Sequence, residues 1–240
     1  MTSWGAWSWW RGRPGARWAD PVMAVTLRVE RALLRQAEPG AFLAAIDEVG
    51  RGALAGPVAV GVVVLGSDVV SAPTGVRDSK ECDQATRERL APRVRLWAHR
   101  SAVGMSSSAE IDEIGIIGAL ALAAARAINA TGVLPDLVLL DGKHDWMSRV
   151  APRAQVVTRI KADTTCAAVA GASIIAKVAR DCLMVDLAAT HPEYGWESNK
   201  GYAAPDHLAA LERYGPTPWH RLSWRLPGVS ATSGVSTATS

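Results

Sequence analysis

The chain has 240 residues, 49% hydrophobic and 20% charged, with a formal charge of only +3. That composition supplies one well-filled core and a small appendage, and its global charge carries no nucleic-acid signature. Cys82, Cys166 and Cys182 form no CxxC pair or metal-type cluster, which argues against a zinc site and for reduced thiols in the cytosol.

No apolar run reaches the roughly 18 residues of a membrane span; the longest, around Ile116 to Ala125, stops at Arg126. The start also lacks the order of a secretory signal, since its basic residues follow a Trp-rich stretch. Neither a membrane anchor nor export is expected. Residues 1–22 hold Trp4, Trp7, Trp9, Trp10 and Trp18 among Gly, Pro and Arg, and read as a disordered extension or a misassigned translation start. The end, PGVSATSGVSTATS, is a Ser/Thr/Gly tail unable to bury apolar surface. A catalytic domain is expected over residues 23–226, with the tail at 227–240.

From Met23, MAVTLRVERALLRQ has the spacing of an amphipathic helix. AFLAAID and VAVGVVVL are apolar enough for buried strands, separated by the turn-rich EVGRGALAGP, and RLWAHRSAVGM reads as a third strand. A long helix follows, with Ser107 as N-cap, Glu110 completing a capping box, and Gly132 at the end. DLVLLDG is a strand running into Asp141, and AQVVTRIKAD repeats the design toward Asp163. Helices through AAVAGASIIAKVARDCLMVDLAATH and APDHLAALERYG complete an α/β domain, a mixed sheet flanked by helices with further helices toward the C-terminus.

Three strands thus deliver carboxylates at their C-terminal ends: Asp47 with Glu48, Asp141 and Asp163. Acids gathered there repel unless a cation or proton neutralises them, and a site without Cys or His favours Mg²⁺ or Mn²⁺. Each Asp could equally begin a turn or cap the next helix. Neighbouring strand residues face opposite ways, so Glu48 joins Asp47 only if the strand ends between them. Residues 143–161 hold Lys143, Arg149, Arg153, Arg159 and Lys161 against Asp145, either a phosphate-facing strip or a solvated surface.

AIDEVGRGALAGPVAVGVVVL, RDSK, VLLDGK, KADTTCAAVAGASIIAKVARD and NKGYAAPDHLAAL.RYGPTPWHRLSW resemble, in order from about Met23 to Leu226, the motifs of bacterial type 2 ribonuclease H, ribonuclease HII. The resemblance implies an RNase H-like fold and a metal-dependent endonuclease whose partners are RNA/DNA hybrids and DNA duplexes containing ribonucleotides. It implies Asp47, Glu48, Asp141 and Asp163 as catalytic and metal-binding groups around two Mg²⁺ or Mn²⁺ ions. Gly50, Arg51 and Gly52 are implied as the backbone reader of a 2′-hydroxyl, since glycine lets the chain approach a sugar closely. Tyr202 is implied to pack on the following sugar, and Ser79, Lys80 and Lys200 are candidate phosphate contacts. Lys177 and Arg180, sharing a helix face, are candidates to support the acids or the duplex backbone.

The chain departs from many relatives at Gly115, Thr164-Thr165, Asn199 and Gly171, the last at an expected helix cost of about 1 kcal/mol. A non-catalytic duplex-binding protein and another two-metal nuclease on the same fold are the rival readings. Ribonuclease HIII is disfavoured because only 46 residues precede Asp47. A cytoplasmic monomer is expected, and a replication-clamp contact stays open without support from the sequence.

Overall fold

A computed structural model describes residues 25–227. The expectations for residues 1–22 and 228–240 lie outside the described residues. Helix α1 (Arg28–Gln36) begins later than the sequence pattern suggests. The reason is tertiary: the Thr26 amide donates to the Thr165 carbonyl at 3.1 Å, and the Ala167 amide donates to the Thr26 carbonyl at 3.0 Å, stitching this segment to the start of a later helix.

Strands β1 (Leu43–Val49) and β2 (Val58–Leu65) pair antiparallel, and β2 pairs antiparallel with β3 (Arg100–Ser106). On its other edge β1 pairs parallel with β4 (Leu137–Asp141), which pairs parallel with β5 (Gln155–Arg159). The order is β3-β2-β1-β4-β5. Helices α2 (Gln84–Trp97), α3 (Ser108–Thr131) and α4 (Ala167–Thr190) cover the sheet, and the short α5 (Trp196–Asn199) and α6 (Pro205–Tyr214) follow. The expected mixed sheet with added C-terminal helices is therefore present.

Side-chain alternation divides the interior into two layers. Leu43, Ala45 and Val63 pack with α1, α2 and α4, whereas Ala44, Ile46, Val60 and Val62 pack with α3. β1 is apolar on both faces because it is central, and each fully buried Leu or Ile there contributes about 1.5–3 kcal/mol. Gly61 lies opposite Asp47 in the hairpin, and a Cβ on it would stand 2.2 Å from the Ala172 carbonyl oxygen. Only a glycine lets α4 cross β2 this closely, and that crossing brings Ser173 of α4 to the level of Asp47.

Two sequence-based expectations need correction, and one, the absence of a membrane span, rests on burial rather than on run length. RLWAHRSAVGM is not one strand: Arg95–Trp97 end α2, a helix the sequence reading omitted, and β3 starts at Arg100. The helix carries Pro92 within it, Asp83 caps it by accepting from the Thr86 amide at 2.7 Å, and Leu90, Ala91 and Val94 bury against α4. Second, α3 is long and apolar enough to cross a membrane by length and composition. Its Ala119, Leu120, Ala123, Ala124, Ala127 and Ile128 are buried in the layer shared with the sheet, as in a core helix. Third, Asp163 does not end a strand: β5 stops at Arg159, and Asp163 sits in a 3₁₀ turn, Ala162–Thr164.

Two of the departures from relatives acquire a physical reading. Gly115 interrupts α3 with φ 72° and ψ 163°, a conformation closed to most L-residues. Gly171 faces α2, where a Cβ would lie 3.0 Å from Val94 Cγ1, so its helix cost is linked to close interhelical packing.

Candidate active site

Asp47 is 4% exposed, on the α4 side of β1 by alternation, and its Oδ1 accepts the Glu48 amide at 2.8 Å. Burial raises its pKa well above the ordinary carboxylate range, and Glu48, Asp141 and Asp163 push it further; the Ser173 hydroxyl works against them. Glu48 is also raised, by burial first; Arg51, its Nη1 3.5 Å from Glu48 Oε1, opposes the rise and Asp141 adds to it. Asp141, last in β4, is raised by burial and by Asp163, while the Ala162 amide donates to its Oδ1 at 2.7 Å. Distant segments thus place four acids in one electrostatic field.

β1 does not end between Asp47 and Glu48; it pairs with β2 through Val49. Its pairing with β4 stops at Ile46–Leu140. Beyond that point the β4-side edge of β1 is open, so both acids sense Asp141 although alternation sends them to opposite faces.

Asp163 is 4% exposed and is met by the Lys80 ammonium at 3.0 Å, with Asp78 at 3.7 Å on the same ammonium. Burial opposes the charge on Lys80, but the hydrogen bond and charge of Asp163 outweigh it and raise its pKa. Lys80 was expected at a phosphate; here it neutralises an acid. Ser79, expected beside it, is buried, its hydroxyl 2.6 Å from that of Ser173. Ser173 and Asp78 were missed by sequence reasoning, although both lie in the motifs that carried the resemblance.

The donor set suits a hard divalent cation. It is all oxygen, charged and partly buried, and the Lys80 and Arg51 pairs, the Ser173 hydroxyl and the amides on Asp141 leave Asp47, Glu48 and Asp141 with raised pKa values. Among the described residues, no three Asp, Glu, His or Cys side chains already stand together as a ligand group.

Beside the acids, Gly50 has φ 86°, and a Cβ on it would fall 2.1 Å from Arg180 Nε. Arg221 donates through Nη2 to the Gly50 carbonyl at 2.6 Å and through Nη1 to the Arg51 carbonyl at 2.8 Å. Arg180 donates to the carbonyls of Pro57, Lys200 and Ala55 at 2.8, 2.9 and 3.0 Å. Both guanidiniums are fully buried, and burial lowers the pKa of each; Arg221 falls to about 10, with Arg180 adding to the effect. The Gly50 and Arg51 carbonyls are therefore turned inward, onto the Arg221 guanidinium. Gly52 has open space around its Cβ position.

Tyr202 follows two left-handed residues, Lys200 (φ 53°) and Gly201 (φ 83°), and the residue is 37% exposed, with the Arg180 guanidinium 5.5 Å from its ring centroid. The Gly201 carbonyl accepts from the Leu54 and Ala55 amides at 2.8 and 3.2 Å, so the glycine loop and this turn are one assembly. Lys200, expected at a phosphate, is 9% exposed and its ammonium is turned to the Glu197 carbonyl. Arg180 supports neither the acids nor a surface, and Lys177 pairs with Asp181 at 2.8 Å. Lys143, Arg149, Arg153, Arg159 and Lys161 are all exposed, and Arg159 pairs in register with Asp141.

The Ribonuclease HII family profile matches residues 44–226. A Streptomyces avermitilis ribonuclease HII is 47% identical over 205 residues, covering 85% of each chain. The chain belongs to the ribonuclease HII family. Another ribonuclease HII, from Nitrosococcus oceani, is 46% identical over 78% of this chain and 90% of its own. Ribonuclease H2 from Pyrococcus horikoshii superposes with a TM-score of 0.64 at 28% identity, covering 77% of this chain and 94% of its own. A ribonuclease HIII solved with Mn²⁺ shares the fold at 20% identity, with a TM-score of 0.61 over 81% of this chain and 70% of its own. Sequence over most of the chain, and fold, therefore agree on this family.

Proposed function

We propose that this ribonuclease HII chain is a divalent-metal-dependent endonuclease that hydrolyses the RNA strand of RNA/DNA hybrids. It incises on the 5′ side of single ribonucleotides in duplex DNA, leaving a 3′-hydroxyl and a 5′-phosphate. The observation that carries the reading is the juxtaposition of Asp47, a buried acid repelled by Glu48, Asp141 and Asp163, with the inward-locked Gly50-Arg51-Gly52 loop.

Asp47, Glu48, Asp141 and Asp163 would hold two Mg²⁺ or Mn²⁺ ions. Bound there, such ions supply positive charge to the scissile phosphate and lower the pKa of the attacking water. In the reaction, water oxygen forms a bond to phosphorus, the bond from phosphorus to the preceding O3′ breaks, and O3′ takes a proton. The ribonucleotide 2′-hydroxyl lies on the far side of its own sugar from that phosphate, so it is recognised rather than used as nucleophile. Recognition falls to the amides of the glycine loop, because Arg221 occupies the Gly50 and Arg51 carbonyls. The half-exposed Tyr202 ring supplies a flat surface for the next sugar, and Lys143, Arg149, Arg153, Arg159 and Lys161 a positive strip for the duplex backbone. Lys80 pairs with Asp163 and stands ready to meet a phosphate when that acid is engaged.

The chain acts as a cytoplasmic monomer in this reading, which its free cysteines, Cys82, Cys166 and Cys182, support. A ribonuclease HII from Archaeoglobus fulgidus was solved as a complex with PCNA. The deciding assay compares matched duplexes containing one ribonucleotide, none, or a full RNA strand, with Mg²⁺, Mn²⁺ or chelator. Ion-dependent cutting 5′ of the ribonucleotide and none of the all-DNA duplex is expected. Equal cutting of both duplexes overturns the reading.

A further inference from the structure

Behind Tyr202 lies a buried chain of polar groups that the cleavage chemistry does not use. The Thr217 amide donates to His220 Nδ1 at 2.9 Å, His220 Nε2 lies 3.0 Å from His207 Nε2, and His207 Nδ1 lies 2.8 Å from the Tyr202 carbonyl oxygen. Both imidazoles are fully buried. An amide can only donate, so His220 Nδ1 is bare and its proton is on Nε2. His207 Nε2 must then accept, as it also does from the Trp196 indole at 3.3 Å, which leaves the His207 proton on Nδ1, aimed at Tyr202.

From His220 Nε2 to the Tyr202 carbonyl the donors and acceptors are matched in one direction only, while the Thr217 hydroxyl, 3.0 Å from His220 Nδ1, joins the amide there. A second proton on His207, at Nε2, would face only the Trp196 and His220 N–H donors, and burial lowers the pKa of both rings, that of His220 to about 4. The strain of the turn explains why such a strut is needed. Lys200 holds a left-handed backbone that L-residues disfavour, its carbonyl is fixed by Arg180, and the Gly201 carbonyl is fixed by Leu54 and Ala55. The Tyr202 carbonyl is the next link, taken by His207 and by the Ala204 amide at 2.8 Å. The residue after His220 is Arg221, which grips the glycine loop. One turn, Thr217–Arg221, therefore reaches both halves of the sugar-reading surface.

We propose that His207, locked as its Nδ1–H tautomer by His220, is a positioning residue that fixes Tyr202 against the glycine loop and so sets selection of the ribonucleotide–DNA junction. The inference rests on the functional reading of Tyr202 given above.

The test is a double-mutant cycle scored by the ratio of kcat/KM on a single-ribonucleotide duplex to that on a full RNA/DNA hybrid. His207→Gln, which cannot present a donor at the Nδ1 position, should lower the ratio about five- to tenfold, and His207→Asn, whose amide nitrogen replaces Nδ1, should restore it to within about twofold. In a Tyr202→Ala background, His207→Gln should change the ratio by less than about twofold. Equal effects in both backgrounds, equal losses in the Asn and Gln variants, or parallel loss on both substrates would overturn the proposal. Should the Gln variant not fold, ¹⁵N-histidine NMR of the wild-type protein decides: protonation of His207 at Nδ1 is expected, and at Nε2 it overturns the proposal. Failure of the functional reading looks different, since wild-type enzyme would then cut all-DNA duplex, while the tautomer result stands independently.

Discussion

Lys80 places its ammonium 3.0 Å from Asp163 Oδ2 across 83 positions of sequence, making it the resident cation of the acidic cluster. It competes with any divalent ion for that carboxylate. Lys80→Gln should therefore bind Mn²⁺ more tightly in the absence of substrate, while turnover falls. Isothermal titration with the full chain measures the first effect; weaker Mn²⁺ binding in the variant would show that Lys80 organises Asp163 rather than competing for it.

Asp47 gives the ion-free protein a defined pH dependence. Its folded pKa lies above the unfolded value of about 3.9, so between those values the folded state holds a proton that the unfolded chain has released. Stability from this group therefore falls as pH rises through that window, by about 1.4 kcal/mol per pKa unit of elevation. Asp47→Asn removes the slope. In chelator at pH 7 the variant should melt at or above the wild type, with the gap closing as pH falls, and Mn²⁺ should raise the wild-type Tm far more than the variant's. Turnover should be nearly abolished with substrate binding retained. A variant that melts well below wild type at pH 7 would contradict the electrostatic account.

The two glycines of the GRG loop separate structural from functional demand. Gly50→Ala combines a positive φ with a Cβ 2.1 Å from Arg180 Nε, and should cost about 3 kcal/mol or more. Gly52→Ala meets open space and should change stability by less than about 0.5 kcal/mol while impairing cleavage. Thermal melts and single-ribonucleotide cleavage, run on both variants, check the contrast.

Arg221→Lys retains the charge and loses the fork. One ammonium cannot serve the Gly50, Arg51 and Gly56 carbonyls together. A loss of about 2–5 kcal/mol is expected, seen as a Tm drop of roughly 5–15 °C. A wild-type melting curve would show that the loop carbonyls do not depend on the guanidinium.

The sequence by itself determined the strands β1, β2 and β4, the capping box of α3 and the mixed α/β class. Those features are local: apolar runs and a Ser107–Glu110 pair at fixed spacing. Only the tertiary structure decided what depends on partners remote in the chain. α2 was hidden because its stability comes from packing on α4. Ser79, Lys80 and Lys200 are polar in any sequence reading, and only their neighbours, Ser173, Asp163 and Glu197, fix where their polar atoms point. The same holds for Arg180, Arg221, His207 and His220. Burying a charge or an imidazole is favourable only where carbonyls and amides from other segments already converge, and no periodicity along the chain records that convergence.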